Sequence, residues 1–100
     1  MIIVSGTVQI RADRRAEAIR VAAKMAETTQ EEPGCLSYRF SADLIDPNLF
    51  YIFEEWESDE ALTRHFGTDH MREFQQTLPN LLAGAPSIKR YDGARASVMM

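Results

Sequence analysis

Two alternating runs, Cys35–Leu44 and Leu49–Ser58, flank the turn residues Asp46, Pro47 and Asn48, and no other feature restricts the fold of this chain as strongly. Aromatic and β-branched residues at alternate positions bury one face of a strand, and turn residues between two such runs close an antiparallel hairpin. A turn centred on Pro47 sets Tyr38 opposite Trp56, Phe40 opposite Glu54 and Arg39 opposite Glu55. One face then carries Leu36, Tyr38, Phe40, Ala42, Phe50, Ile52, Glu54 and Trp56. The other carries Cys35, Ser37, Arg39, Ser41, Tyr51, Phe53, Glu55 and Glu57.

The flanking segments complete an alternation of strands and helices. Ile2–Ile10 reads as a first strand with Ile2, Val4, Val8 and Ile10 inward, and Gly6 marks a bulge or a close approach to its backbone. Asp13 is placed to cap a helix reaching about Gln30, with an inward stripe of Ile19, Ala22, Ala23 and Ala26 widened by Val21 and Met25. Pro33 and Gly34 end it. Ser58 or Asp59 caps a second helix with Ala61, Leu62, His65 and Phe66 inward; Gly67 and Thr68 interrupt it, and a restart aligns Met71, Phe74, Gln75 and Leu78 before Pro79. Asn80–Pro86 reads as a loop and Ser87–Tyr91 as a last strand.

The order β-α-β-β-α-β predicts a ferredoxin-like α+β fold, a four-stranded antiparallel sheet with both helices on one face. Residues 1–93 are expected to form one domain and 94–100 a tail. The uncovered face would expose Leu49, Tyr51 and Phe53, so a homodimer paired through its sheets is expected.

Charge narrows the partners. Eleven basic against fifteen acidic residues give a net charge of −4, with the basic residues scattered, so nucleic acid is not expected. No apolar run approaches the ~20 residues that span a bilayer, and no membrane partner is expected. The single cysteine, Cys35, has no intrachain disulfide partner, and MIIVSGTV does not read as a secretion signal; the expected location is cytoplasmic.

Candidate chemistry gathers between Leu49 and Phe74, which hold the only Trp and both His residues. Glu54 falls among Phe40, Ile52 and Trp56, where desolvation raises the proton affinity of a carboxylate toward neutral pH and suits it to acid/base work. Pairing with a basic group or a helix amide is the structural alternative. His65 is inward on the second helix, as a base or as a core histidine bonded to a carbonyl. His70 lies five residues on, about 140° around a continuous helix, so the two rings would not share a face and no metal site is expected. Trp56, Tyr38, Phe40 and Phe74 are either core or the walls of an apolar pocket. Cys35 reads as a small buried thiol.

The segments EEPGC at Glu31–Cys35, EEW at Glu54–Trp56 and HFGTDHM at His65–Met71, with Ala61 and Leu62, resemble the antibiotic biosynthesis monooxygenase family, particularly its small quinol-monooxygenase-like members. The resemblance implies a ferredoxin-like fold pairing as a dimeric α/β barrel. It also implies oxidation of an aromatic quinol or polyketide-like substrate by molecular oxygen without metal or flavin cofactors. On that resemblance His65 or Glu54 takes the phenolic proton, Trp56, Tyr38, Phe40 and Phe74 form the walls, and His70 binds or orients a substrate oxygen.

The chain departs from the family pattern in having Thr68-Asp69-His70 where relatives often have Thr-Pro-His. Haem-degrading relatives place Trp at the position of His65 and a ligating His at that of Gln75, which disfavours a haem oxygenase. Two alternatives remain: an isomerase or processing enzyme for a small phosphorylated signalling diketone, and a non-catalytic dimeric ligand-binding module. The first needs cations for phosphate; Arg39 and Lys24 are available, but Arg39 falls on the sheet face opposite Glu54.

Overall fold

The computed structural model covers residues 1–100 and contains strands β1 (Ile2–Gln9), β2 (Cys35–Ala42), β3 (Leu49–Trp56) and β4 (Ser87–Tyr91). Its helices are α1 (Arg15–Thr29), α2 (Asp59–Phe66) and α3 (Asp69–Thr77), with 3-10 turns at Ala12–Arg14 and Leu78–Asn80. The sheet order is β2-β3-β1-β4, antiparallel throughout, which is the ferredoxin-like arrangement. β3 is therefore a central strand.

Alternation decides which β3 residues are inward: Phe50, Ile52, Glu54 and Trp56 are buried, whereas Tyr51 and Phe53 are 42% and 40% exposed on the open face. One core cluster packs Ile2, Met25, Tyr38, Ile52, Trp56, Ala61 and Leu62; a second packs Val8, Ile10, Ala18, Phe50 and Leu81.

Several local expectations are corrected. The hairpin register differs by two residues, with Tyr38 opposite Glu54, Phe40 opposite Ile52 and Arg39 opposite Phe53. The loop is built around Asp43, whose carboxylate accepts from the amides of Ile45 and Asp46 while its own amide donates to the Leu49 carbonyl, so the turn is not centred on Pro47. A two-residue shift preserves the faces. A bulge between Cys35 and Ser37 does not: it turns Cys35 inward and leaves Leu36 57% exposed.

The buried stripe of α1 is Ala18, Ala22, Met25 and Thr29, rotated from the expected Ile19, Ala22, Ala23 and Ala26. Four alanines look alike to a hydrophobic pattern, and Met25 decides the orientation by filling the core beside Trp56. Asp13 makes no cap; its carboxylate accepts two bonds from the Arg11 guanidinium, at 3.1 and 2.8 Å. Phe66, expected inward, is 54% exposed. The expected loop after Asn80 buries Leu81 and bridges Leu82 to Ile10.

Gly6 is required by close approach. A Cβ there would collide with the Ser87 carbonyl oxygen and lie 2.5 Å from the Ile88 Cα, both backbone atoms of β4. Gly6→Ala should push β4 off the sheet edge and cost about 1–3 kcal/mol, as overpacking does. Thermal unfolding should shift down by several degrees and β4 amides should lose hydrogen-exchange protection; unchanged melting and protection would contradict this contact.

Candidate functional site

Glu54 is held by β3 between Val4 of β1 and Tyr38 of β2, with its carboxyl on the inward face. Two residues along the strand, Trp56 points the same way and its indole Nε1–H donates to Glu54 Oε1 at 2.8 Å. Burial pushes the Glu54 carboxyl up to about 7; the Trp56 hydrogen bond pulls the other way and the charge of Glu32 adds a smaller upward push. The Tyr38 hydroxyl is held above the usual phenol range, first by burial and then by Glu54.

Beside this carboxyl is an apolar cavity of about 240 Å³. Val4, Tyr38, Phe40, Ile52 and Glu54 form its sheet side, Phe66, Met71, Phe74, Gln75 and Leu78 its helical side, and Ile88 of β4 lines it as well. Tyr38, Glu54 and Gln75 are the polar residues among those that line it, and no Lys or Arg does. Arg39 is exposed opposite Phe53, and Lys24 borders a separate surface cleft, so neither basic group considered for phosphate reaches this cavity.

The sequence-derived residues divide into two groups. Glu54, Tyr38, Phe40 and Phe74 line the cavity; Trp56, His65 and His70 do not. Trp56 is fully buried and bonded to Glu54, and His65 is tilted against the Trp56 ring with centroids 4.8 Å apart. His70 borders the cleft between α1 and α3 with Lys24, Glu73 and Thr77.

A second constellation lies behind Trp56. His65 Nδ1 and His70 Nε2 each lie 2.7 Å from the same oxygen, Glu32 Oε2. Burial lowers the proton affinity of His65 while Glu32 opposes that shift. A neutral His65 in this geometry donates its Nδ1–H to the carboxylate. The expectation that the two rings face apart is corrected here: their centroids are 6.0 Å apart because Gly67 breaks the helix and Thr68 restarts it, its hydroxyl accepting from the Met71 amide.

No local sequence pattern singles out Glu32. It reaches the histidines because Gly34, at φ +84°, lets the turn after α1 press onto α2; a Cβ there would lie 2.5 Å from the Ala61 Cβ. Ala61 and His65 are one helical turn apart on the same face, which brings the ring to Glu32. The pairing of EEPGC with the HFGTDH segment was the available signal, readable only once the turn is known to meet α2. Gln75, Met71, Leu78 and Ile88 also line the cavity, and their long spacing from Glu54 hides the association in the sequence.

The raised Glu54 proton affinity has a definite linkage sign. A carboxyl shifted from its ordinary 4.5 to about 7 contributes stability in full below pH 4.5, and loses it as pH rises through 7. Glu54→Gln keeps an oxygen for the Trp56 N–H and cannot ionise. The variant should match the native protein's pH trend below 4.5 and gain up to about 3 kcal/mol on it by pH 8, by linkage. Denaturant titrations across that range measure this, and a constant offset between the two proteins would contradict it.

The family profile described as antibiotic biosynthesis monooxygenase matches residues 1–77. The uncharacterised protein sll1783 of Synechocystis is 36% identical over 98% of this chain and 67% of its own length. A candidate antibiotic biosynthesis monooxygenase from Deinococcus radiodurans superposes with a TM-score of 0.89 at 28% identity, covering 100% of this chain and 99% of that chain. PA3566 from Pseudomonas aeruginosa does so with a TM-score of 0.84 at 27% identity, over 96% and 94% of the two chains. The profile spans most of the domain, including the turn after α1, β3 and both halves of the broken helix, and the chain belongs to the antibiotic biosynthesis monooxygenase family.

Proposed function

We propose that this protein is a cofactor-independent monooxygenase that oxidises an aromatic quinol or polyketide-like substrate with molecular oxygen. The observation that carries the reading is Glu54: a carboxyl near its midpoint at neutral pH, facing a hollow apolar cavity walled by Tyr38, Phe40 and Phe74. A phenol lying against those rings directs its hydroxyl to the carboxylate, which removes the proton. The resulting phenolate is electron-rich enough to pass an electron to oxygen, and the two radicals combine at an activated ring carbon. One oxygen atom stays on that carbon and the other leaves as water, the substrate's own hydrogens balancing it, so the substrate is the only reductant consumed.

Family membership supports oxygenase chemistry, and the cavity's lack of cations argues against a phosphorylated substrate. The working form is a homodimer paired through the open sheet face, where Tyr51, Phe53 and Tyr91 expose aromatic surface. Sedimentation as a monomer at micromolar concentration would overturn this pairing.

Oxygen uptake by the metal-stripped protein over a panel of reduced quinones tests the function. Uptake should exceed substrate autoxidation, rise with pH through about 7 as Glu54 ionises, and fall roughly 10²- to 10⁴-fold in a folded Glu54→Gln variant. Uptake retained in Glu54→Gln but lost in His65→Ala would move the base to His65. No enhancement with any quinol would contradict the oxygenase reading.

A further inference from the structure

We propose that Glu32, His65 and His70 form a binding site for one divalent transition-metal ion of the Zn²⁺ class, which braces the helical wall of the cavity. One donor atom from each residue, two imidazole nitrogens and a carboxylate oxygen, lies within 4.8 Å of the others. Three donors of this kind suit Zn²⁺, Co²⁺ or Ni²⁺, with water completing the coordination; Mg²⁺ and Ca²⁺ prefer oxygen ligands throughout. Coordination distances of about 2.0–2.2 Å set the donors of a tetrahedral site at separations between 2.7 and 4.8 Å, so each ring nitrogen draws back from Glu32 Oε2 while the two nitrogens close on each other. Both rings already aim nitrogens at one carboxylate oxygen, at 2.7 Å each.

Proton accounting is simple. Each neutral ring moves its proton to the far nitrogen and presents a lone pair to the ion, and a ring that was protonated releases one proton. One carboxylate and two neutral imidazoles carry a single negative charge, which a divalent ion complements.

The scaffold is built independently of the ion. Ser58 caps α2, Thr68 caps α3, and the Gly34 turn holds Glu32 against them. The side chains are graded in exposure, 1% for His65, 10% for Glu32 and 24% for His70, which leaves an entry path at His70. The chain has only two histidines, so no other imidazole pair competes.

None of the three ligands lines the cavity, but their neighbours Phe66 and Met71 do. The ion therefore fixes the α2–α3 junction and with it that wall, and the proposal is independent of the oxidation reading, whose assay uses metal-stripped protein.

The test is calorimetric titration of Zn²⁺ into untagged, metal-stripped protein, with melting temperature and the visible spectrum of the Co²⁺ form as second readouts. One ion per chain should bind and raise the melting temperature, with no such effect from Mg²⁺. Glu32→Gln and His70→Gln should each weaken binding at least tenfold, and the Co²⁺ spectrum should show nitrogen and oxygen ligation. His70→Gln is a partly exposed, polar replacement that keeps the fold testable. Absence of binding at submillimolar Zn²⁺, affinity unchanged in both variants, or a thiolate charge-transfer band from Cys35 would overturn the site.

Discussion

A carboxyl group on the inward face of a central strand must be neutral or partnered, and the consequences of that constraint at Glu54 extend through the structure. β3 is hydrogen-bonded on both sides, to β1 and to β2, so it cannot rotate or slip to release the group. Trp56, on the same face, satisfies one oxygen without supplying a positive charge. The desolvation penalty is met largely by protonation, which leaves the group poised near neutral pH beside a cavity. A cationic partner would have held it ionised, and a helix packed directly over it would have left no room for a ligand.

The helical layer supplies that room by being broken. Gly67 separates α2 from α3, so α2 covers Trp56 through Ala61, Leu62 and His65, while Phe74 and Gln75 of α3 border the cavity farther along the sheet. The same break turns His70 back toward His65, and the turn after α1, pressed in at Gly34, completes the cluster with Glu32. One interruption thereby provides both the cavity's wall and a polar tie behind it. The two constellations stay chemically distinct: one is a single carboxyl in apolar surroundings, the other a carboxylate shared by two imidazoles.

Sequence made the element order, the faces of β3 and the isolation of Glu54 legible, because a period of two survives any even error in register. The two-residue shift at Asp43 left every β3 assignment in place, whereas the bulge after Cys35 exchanged Cys35 and Leu36, since a local insertion is invisible to alternation. Alanines offer a hydrophobic pattern no contrast with which to fix the face of α1, and Asn80–Pro86 carries loop residues although Leu81 closes the second core cluster. Glu32 is the residue the sequence hides most completely. Its role depends on a tertiary contact between a positive-φ turn and a helix more than twenty-five residues away, which no local pattern encodes.

Whether Glu54 titrates near neutrality is read by ¹³C NMR of protein labelled at the Glu carboxyl carbons, with Glu54→Gln identifying the resonance. This carbon should titrate near pH 7, and the Trp56 indole N–H resonance should move with the same midpoint. A Glu54 resonance that titrates below about pH 5, in the ordinary carboxylate range, would contradict it.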